Sequence, residues 1–242
     1  MMMKACLNGA RLPSAHPTLP TTPSQLAAEA VDVWAAGADA IHVHVKDAAG
    51  FDTLAAHPMA KVLEAIRTAA DGLPIGVTTG AWAESDPAER VATIRSWDAL
   101  PDFASVNWHE DGADDVATAL MDHGVGVEAG LWNSEAVANW ARSPIRDSCQ
   151  RVLIELPPEP DPTVTTRRAE DMFEAVATAN DARMPVLLHG EGSSAWAALA
   201  IAAQHGLSTR IGFEDTLQLP DGRTAPSNKA LLEAAWTIVR TE

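Results

Sequence analysis

The chain has 242 residues, 47% of them hydrophobic, which suits one large globular domain spanning residues 1–242 better than two small ones. Asp and Glu number 33 against 17 Lys and Arg, a formal net charge of -16, and no Lys/Arg cluster overrides that field, so nucleic acid and anionic membrane surfaces are excluded as partners. Met1-Met2-Met3-Lys4 leads straight into Ala5-Cys6-Leu7-Asn8 with no signal-peptide core, no apolar run approaches membrane-spanning length, and Cys6 and Cys149 form no CxxC pattern, so a cytoplasmic protein with reduced thiols is expected.

Short apolar runs alternate with helix-length amphipathic segments along the whole chain. Strand one is read over Lys4 to Asn8, followed by a helix from Thr22-Pro23 to Ala35, where Thr caps and Pro fits the first turn. Strand two covers Ala40 to Val45, then a helix from Pro58 to Ala70. Strand three is Pro74 to Thr78, and Asp86-Pro87 opens a helix to about Leu100. Strand four, Phe103 to Asn107, precedes a helix from Asp114 to His123. Strand five is Val125 to Ala129, with a helix from Asn133 through Trp140. Strand six is Arg151 to Leu156; a proline-rich loop, 157–162, leads to a helix from Thr166 to Asn180. Strand seven is Pro185 to Leu188, with a helix from Ser193 or Ser194 through Ala203. Strand eight is Thr209 to Phe213, and the last helix runs from Ser227 to about Arg240.

Eight such units predict an α/β fold of the (β/α)8 TIM-barrel type, whose usual size is about 250 residues. The competing doubly wound open sheet is disfavoured because no GxGxxG follows strand one.

Barrel chemistry gathers at the C-terminal ends of the strands. Here those ends carry Asn8 and Arg11; His42, His44, Lys46 and Asp47; Thr78 and Thr79; Asn107, His109 and Glu110; Glu128; Glu155; His189 and Glu191; and Glu214 and Asp215. Polar groups are costly to bury without partners, so this concentration points to a ligand-filled pocket and an enzyme. His42 and His44, two residues apart on a strand, face the same side. Two imidazoles plus a carboxylate and open positions make a catalytic zinc site, and the same donors suit iron or manganese. From the residues alone the third ligand is Glu214, Glu128 or His189. Asp47 either orients an imidazole or caps its own loop, with the cap preferred.

The chain resembles the β-keto acid cleavage enzymes, the family of the 3-keto-5-aminohexanoate cleavage enzyme. The resemblance is carried by Leu7-Asn8-Gly9-Ala10 with Pro20-Thr21-Thr22-Pro23, by Gly37 through Asp47, by Thr78-Thr79-Gly80, by Pro101 through Asn107, by Arg210-Ile211-Gly212-Phe213-Glu214-Asp215 and by Ala225 through Leu231. It implies a zinc ion held by His42, His44 and Glu214, with Arg210 and Asp215 as the catalytic pair, Asp215 acting as the base. It implies condensation of a β-keto acid with acetyl-CoA to release acetoacetate and a new acyl-CoA. Thr78, Thr79 and Asn107 then donate hydrogen bonds to the keto acid or an oxyanion, and a homo-oligomer is expected.

The chain departs from the family at Arg11, where an acidic residue is common, so that Arg11 either binds a second substrate carboxylate or pairs with one of the chain's many acidic residues. Other departures are Trp108-His109-Glu110 after strand four and His189 with Glu191 after strand seven; relatives are also usually longer after the last helix. Two other readings stand beside the transferase: a metal-dependent C–C lyase, aldolase or hydrolase that uses no CoA, and a non-catalytic small-molecule binding barrel.

Overall fold

Eight strands pair in parallel in the computed structural model, which describes residues 1–181 and 183–241. They are β1 (Met3–Cys6), β2 (Ala40–Val43), β3 (Ile75–Thr78), β4 (Phe103–Asn107), β5 (Gly126–Leu131), β6 (Arg151–Leu156), β7 (Val186–Gly190) and β8 (Thr209–Ile211). Consecutive strands are neighbours from β1 to β7, and β8 lies against β1. A parallel bridge between Leu187 and Ser208, with the Leu188 N–H donating to the Ser208 carbonyl at 3.0 Å, brings β7 to β8 and nearly closes the ring. The helices alternate with the strands: α1 (Pro23–Ala35), α2 (Ala56–Ala69), α3 (Pro87–Arg95), α4 (Ala113–Asp122), α5 (Ser134–Arg142), α6 (Pro162–Ala179), α7 (Ala195–Gln204) and α8 (Asn228–Val239). The fold is a (β/α)8 TIM barrel.

Local chemistry accounts for the helix starts. Thr22 and Gln25 form a reciprocal capping box on α1, with Pro23 in its first turn. Asp161 accepts from the Thr163 N–H at 2.8 Å, so α6 begins at Pro162 rather than at Thr166, and the end of the proline-rich stretch is a helix start. The third helix stops at Arg95, short of Leu100. Beyond it Trp97 turns into the core and donates its indole N–H to the Leu54 carbonyl at 2.7 Å.

Two faces of the strands do different work. Outward residues such as Ile41, Val43, Ile75 and Val77 pack under the helices in the main hydrophobic core. Inward residues build a floor and a mouth. The floor holds Lys4, whose ammonium contacts Glu128 at 2.5 Å; Arg151 lies 3.3 Å from the same carboxylate, and both cations sit over the Phe103 ring. Gly76 makes room for that ring, since a Cβ there would lie 2.0 Å from Phe103. Glu128 is therefore committed to the floor. At the mouth, β8 ends at Ile211 because Gly212 passes so close to Cys6 that a Cβ would meet its carbonyl at 2.0 Å. The chain then turns, with the Asp215 N–H bonding the Gly212 carbonyl at 2.9 Å, and lays Glu214 over the barrel end.

Candidate metal centre and active-site cavity

His42 and His44 converge with Glu214 at the mouth. His42 Nε2 lies 3.9 Å from Glu214 Oε2, His44 Nε2 lies 3.7 Å from Glu214 Oε1, and the three donor atoms are within 4.8 Å of one another. The imidazole rings stand nearly perpendicular, their centroids 5.3 Å apart. Ligand atoms 2.0–2.1 Å from a tetrahedral ion are about 3.3 Å apart, so a small contraction would close these donors on a divalent ion. Glu214 Oε2 is buried with no hydrogen-bond partner among the described residues, as expected of an oxygen reserved for a ligand.

The surrounding residues hold this triad in place. Asn8 clamps the His44 backbone from both sides: its Oδ1 accepts the His44 N–H at 2.9 Å and its Nδ2 donates to the His44 carbonyl at 2.8 Å. Gly9 has φ of +59°, and a Cβ on it would lie 2.6 Å from Glu214 Cγ, so only glycine lets the two loops meet. Asp52 faces His44 Nδ1 at 2.7 Å, which commits Nδ1 and leaves Nε2 for the triad. Asp52 also accepts from Lys46 Nζ and from the Trp82 indole N–H, and the Trp82 ring stacks parallel on His44. Asp47 takes the other role open to it. Its Oδ1 accepts the Ala49 and Phe51 N–H groups at 2.8 and 3.0 Å and caps its own loop.

Charge tunes the ligands in opposite directions. Burial holds the His42 imidazole well below its ordinary pKa, in the neutral form that ligates metal. Burial also works against protonation of His44, but the Glu214 and Asp52 carboxylates outweigh it and raise its pKa to about 9. For Glu214 the cost of burial is overcome by Arg210, His42 and His44, and its carboxyl lies well below the usual range.

Behind the triad runs a second chain of buried charge. Arg210 Nη2 lies 2.7 Å from Glu214 Oε1 and 2.9 Å from Asp215 Oδ1, and its Nε donates to the same Asp215 oxygen at 3.0 Å. His189 bridges onward, with Nδ1 3.3 Å from Asp215 Oδ1 and Nε2 3.2 Å from Glu155 Oε2. His189 is thus part of this carboxylate chain and does not join the metal cluster.

Both groups border a cavity of about 530 Å³ whose wall includes Arg11, Thr78, Asn107, Glu155 and Glu191. Of the residues expected to touch substrate, Thr78, Asn107 and Arg11 reach this wall, as does Arg210. Arg11 is held there by donating from Nε to the Phe213 carbonyl and from Nη2 to the Glu214 carbonyl. Asn107 is oriented by its neighbours: Nδ2 donates to Glu110 at 2.8 Å and Oδ1 accepts from Trp132 at 3.2 Å. Two expected residues sit elsewhere. Thr79 turns away and donates to the Ser105 carbonyl at 2.8 Å, and Asp215 is fully buried behind Arg210, outside the cavity wall. Sequence reasoning missed Asp52 and Trp82, which lie in loops and carry no periodic signal.

The fold and the triad define this protein as a TIM-barrel enzyme with a divalent-metal site at the C-terminal ends of its strands. The family model described as BKACE, beta-keto acid cleavage enzyme, matches residues 1–242, and the chain belongs to that family. It is 23% identical to the 3-keto-5-aminohexanoate cleavage enzyme of Fusobacterium nucleatum subsp. nucleatum over 255 aligned positions, covering 99% of this chain and 91% of the relative. Among solved structures, the binary complex of ObcA with oxaloacetate superposes with a TM-score of 0.69 at 18% identity, over 91% of this chain. The ternary complex of ObcA with C4-CoA adduct and oxalate gives 0.69 at 18% over 93%. This chain spans only 63% and 64% of those two ObcA chains. The N-terminal domain of a putative aldolase from Bacteroides vulgatus gives 0.62 at 12%, over 100% of this chain and 85% of that domain. At these identities the structures bear on the fold alone.

Proposed function

We propose that the protein is a zinc-dependent β-keto acid cleavage enzyme that condenses its substrate with acetyl-CoA, giving acetoacetate and a new acyl-CoA. In that reaction the C2–C3 bond of the keto acid breaks, C2 gains the acetyl group, and the CoA sulfur takes the C3 acyl group. A proton leaves C2 and is later returned to it. The observation that carries the reading is the His42–His44–Glu214 triad set beside Arg210 on one cavity. The family relationship and the activity for which the Fusobacterium relative is named support it, and the ObcA complexes with oxaloacetate and with a CoA adduct are in keeping with it.

His42, His44 and Glu214 would hold the ion, which when bound supplies a Lewis acid for the keto acid's carbonyl and carboxylate oxygens. Arg210 presents a permanent cation to anionic reactants, aimed by its bonds to Asp215 and Glu214. Asp215 contributes to proton transfer from behind Arg210 and His189. Thr78 Oγ1 accepts from the Gly80 N–H at 3.1 Å, so its own hydroxyl proton is free to donate into the cavity. Asn107 keeps one N–H for the same purpose. Thr79 supports the wall through Ser105, and Arg11 offers its remaining donors to a second carboxylate. A cytoplasmic homo-oligomer belongs to the same reading; no described helix is long and apolar enough to cross a membrane.

A panel of β-keto acids assayed with and without acetyl-CoA tests the proposal. Acetoacetate formed only when both are present is expected. Turnover indifferent to CoA would replace the transferase by a lyase, aldolase or hydrolase, and a zinc content far below one per chain in unchelated protein would remove the metal.

A further inference from the structure

The two oxygens of Asp215 are not equivalent. Oδ1 takes the contacts: Arg210 Nε at 3.0 Å, Arg210 Nη2 at 2.9 Å and His189 Nδ1 at 3.3 Å. Oδ2 is buried with no hydrogen-bond partner among the described residues. A buried oxygen without a partner is costly, and beside a fully engaged twin it is suited to taking up a proton.

No strand ladder fixes this carboxylate. β7 and β8 end the strand order and meet through the isolated Leu187–Ser208 bridge, and Asp215 lies past the end of β8 on the turn that follows. The end of β7 grips it across that seam at two points. The Gly192 N–H donates to the Asp215 carbonyl at 2.6 Å, and His189 reaches the side chain. His189 is itself aimed from β6: the strand register pairs it with Glu155, and Nε2 lies 3.2 Å from Glu155 Oε2. Glu155 lines the cavity, so the chain Glu155–His189–Asp215 runs from the cavity wall to the buried carboxylate.

Burial and the Arg210 charge oppose protonation of His189, but Glu155 and Asp215 outweigh them and raise its pKa. Burial likewise opposes the charge on Glu155, and His189 overcomes it and draws that carboxyl below the usual range. An imidazolium thus stands between two carboxylates, one nitrogen facing each.

Resting on the reaction read above, with Asp215 as its proton-transfer group, we propose that His189, aimed by Glu155, is the positioning residue for Asp215. With Arg210 it occupies Oδ1, which leaves Oδ2 as the oxygen that receives the proton and returns it. His189 is buried behind the cavity wall, so its effect passes through Asp215.

Deuterium wash-in at C2 of acetoacetate, followed by NMR in D2O with zinc-loaded full-length protein, reads the proton transfer without acetyl-CoA. His189→Asn sets an amide nitrogen near the Nδ1 position and His189→Gln near the Nε2 position, so only the former keeps a donor on Asp215. His189→Gln is expected to lose about 10–100-fold of the wild-type exchange rate, the cost of misplacing a reacting group by up to about 1 Å, with zinc content and acetoacetate affinity by calorimetry within about threefold of wild type. His189→Asn is expected to exchange at least about fivefold faster than His189→Gln. Exchange by His189→Gln within about threefold of wild type would overturn the assignment. Equal losses in the two variants would overturn it too, since a merely structural residue does not distinguish them. If His189→Gln does not fold, Glu155→Ala decides: a loss of about tenfold or more at unchanged acetoacetate affinity is expected, and an unchanged rate overturns the positioning. A wild type that binds acetoacetate yet exchanges nothing, or that binds no β-keto acid, would instead remove the functional reading, and this role with it.

Discussion

Asp52 faces His44 Nδ1 at 2.7 Å and thereby decides which nitrogen of that ring points at Glu214. The same carboxylate is shared with Lys46 and Trp82, so it also sets the height of the loops beside the triad. Asp52→Asn would leave the fold intact but loosen the ring and lower its basicity. Above about pH 9, where proton competition at His44 no longer offsets the loss, metal affinity should fall about 10–100-fold, the usual cost of losing a carboxylate behind a ligating imidazole. Competition against a chelator of known affinity measures it; unchanged affinity would free His44 from any dependence on Asp52.

Metal uptake should displace a proton. In the metal-free protein His44 stays protonated up to about pH 9, held so by Glu214 and Asp52 against the opposing effect of burial. Its Nε2 must lose that proton to ligate, whereas His42 is already neutral and Glu214 already ionised. Apparent affinity should therefore climb about tenfold per pH unit from 7 toward 9 and then level off. Calorimetry at pH 7.5 in buffers of different ionisation enthalpy should report close to one proton released; a value near zero contradicts the assignment of His44 as the protonated ligand.

The floor of the barrel makes a prediction about stability alone. Lys4 and Glu128 are both fully buried and in contact. Lys4→Met leaves Glu128 with only the longer contact to Arg151. Breaking one side of a buried pair costs about 3–5 kcal/mol, which for a chain of this size lowers Tm by about 6–20 °C. Differential scanning calorimetry measures the drop, and metal stoichiometry of the folded variant should not change, because the floor lies below the triad.

Glu191 should penalise the folded state at alkaline pH. Its carboxyl is raised to about 7 in the folded protein from an ordinary 4.5. The ionised form is thus the disfavoured one, and stability is lost as pH rises from about 4.5 through 7. Glu191→Gln removes that penalty. After allowance for solvent screening of a half-buried group, the variant should gain roughly 1–2 kcal/mol at pH 8, about 2–8 °C in Tm, and much less at pH 5. Thermal melts at the two pH values decide it; equal shifts at both would assign the gain to packing rather than charge.

Much of the architecture is legible in the sequence because strand and helix periods are local. Alternating apolar runs locate all eight strands, and the two-residue spacing alone is enough to place His42 and His44 on one face. Glu214 as third ligand is not a local property: the residues leave Glu128 and His189 open, and the family resemblance points to Glu214. The structure places Glu128 in the floor with Lys4 and His189 between Glu155 and Asp215.

What only the tertiary structure decided lies in the loops and turns. Asp47 and Asp52 are both acidic residues in the loop after β2. The antiparallel bridge between Lys46 and Asp52 folds that loop back, so the later one meets His44 and the nearer one caps backbone. The placement of Asp215 and Glu191 has a similar cause. The turn after Gly212 buries Asp215 against Arg210, while the turn after β7 leaves the Glu191 carboxyl on the cavity. The sequence by itself determined the barrel and the face carrying the histidines, because side-chain direction along a strand follows from its two-residue repeat. Which carboxylate joins the two histidines, which lines the cavity and which lies buried behind it was decided only when the strand ends were brought together, because those placements depend on backbone turns whose paths are set by distant neighbours.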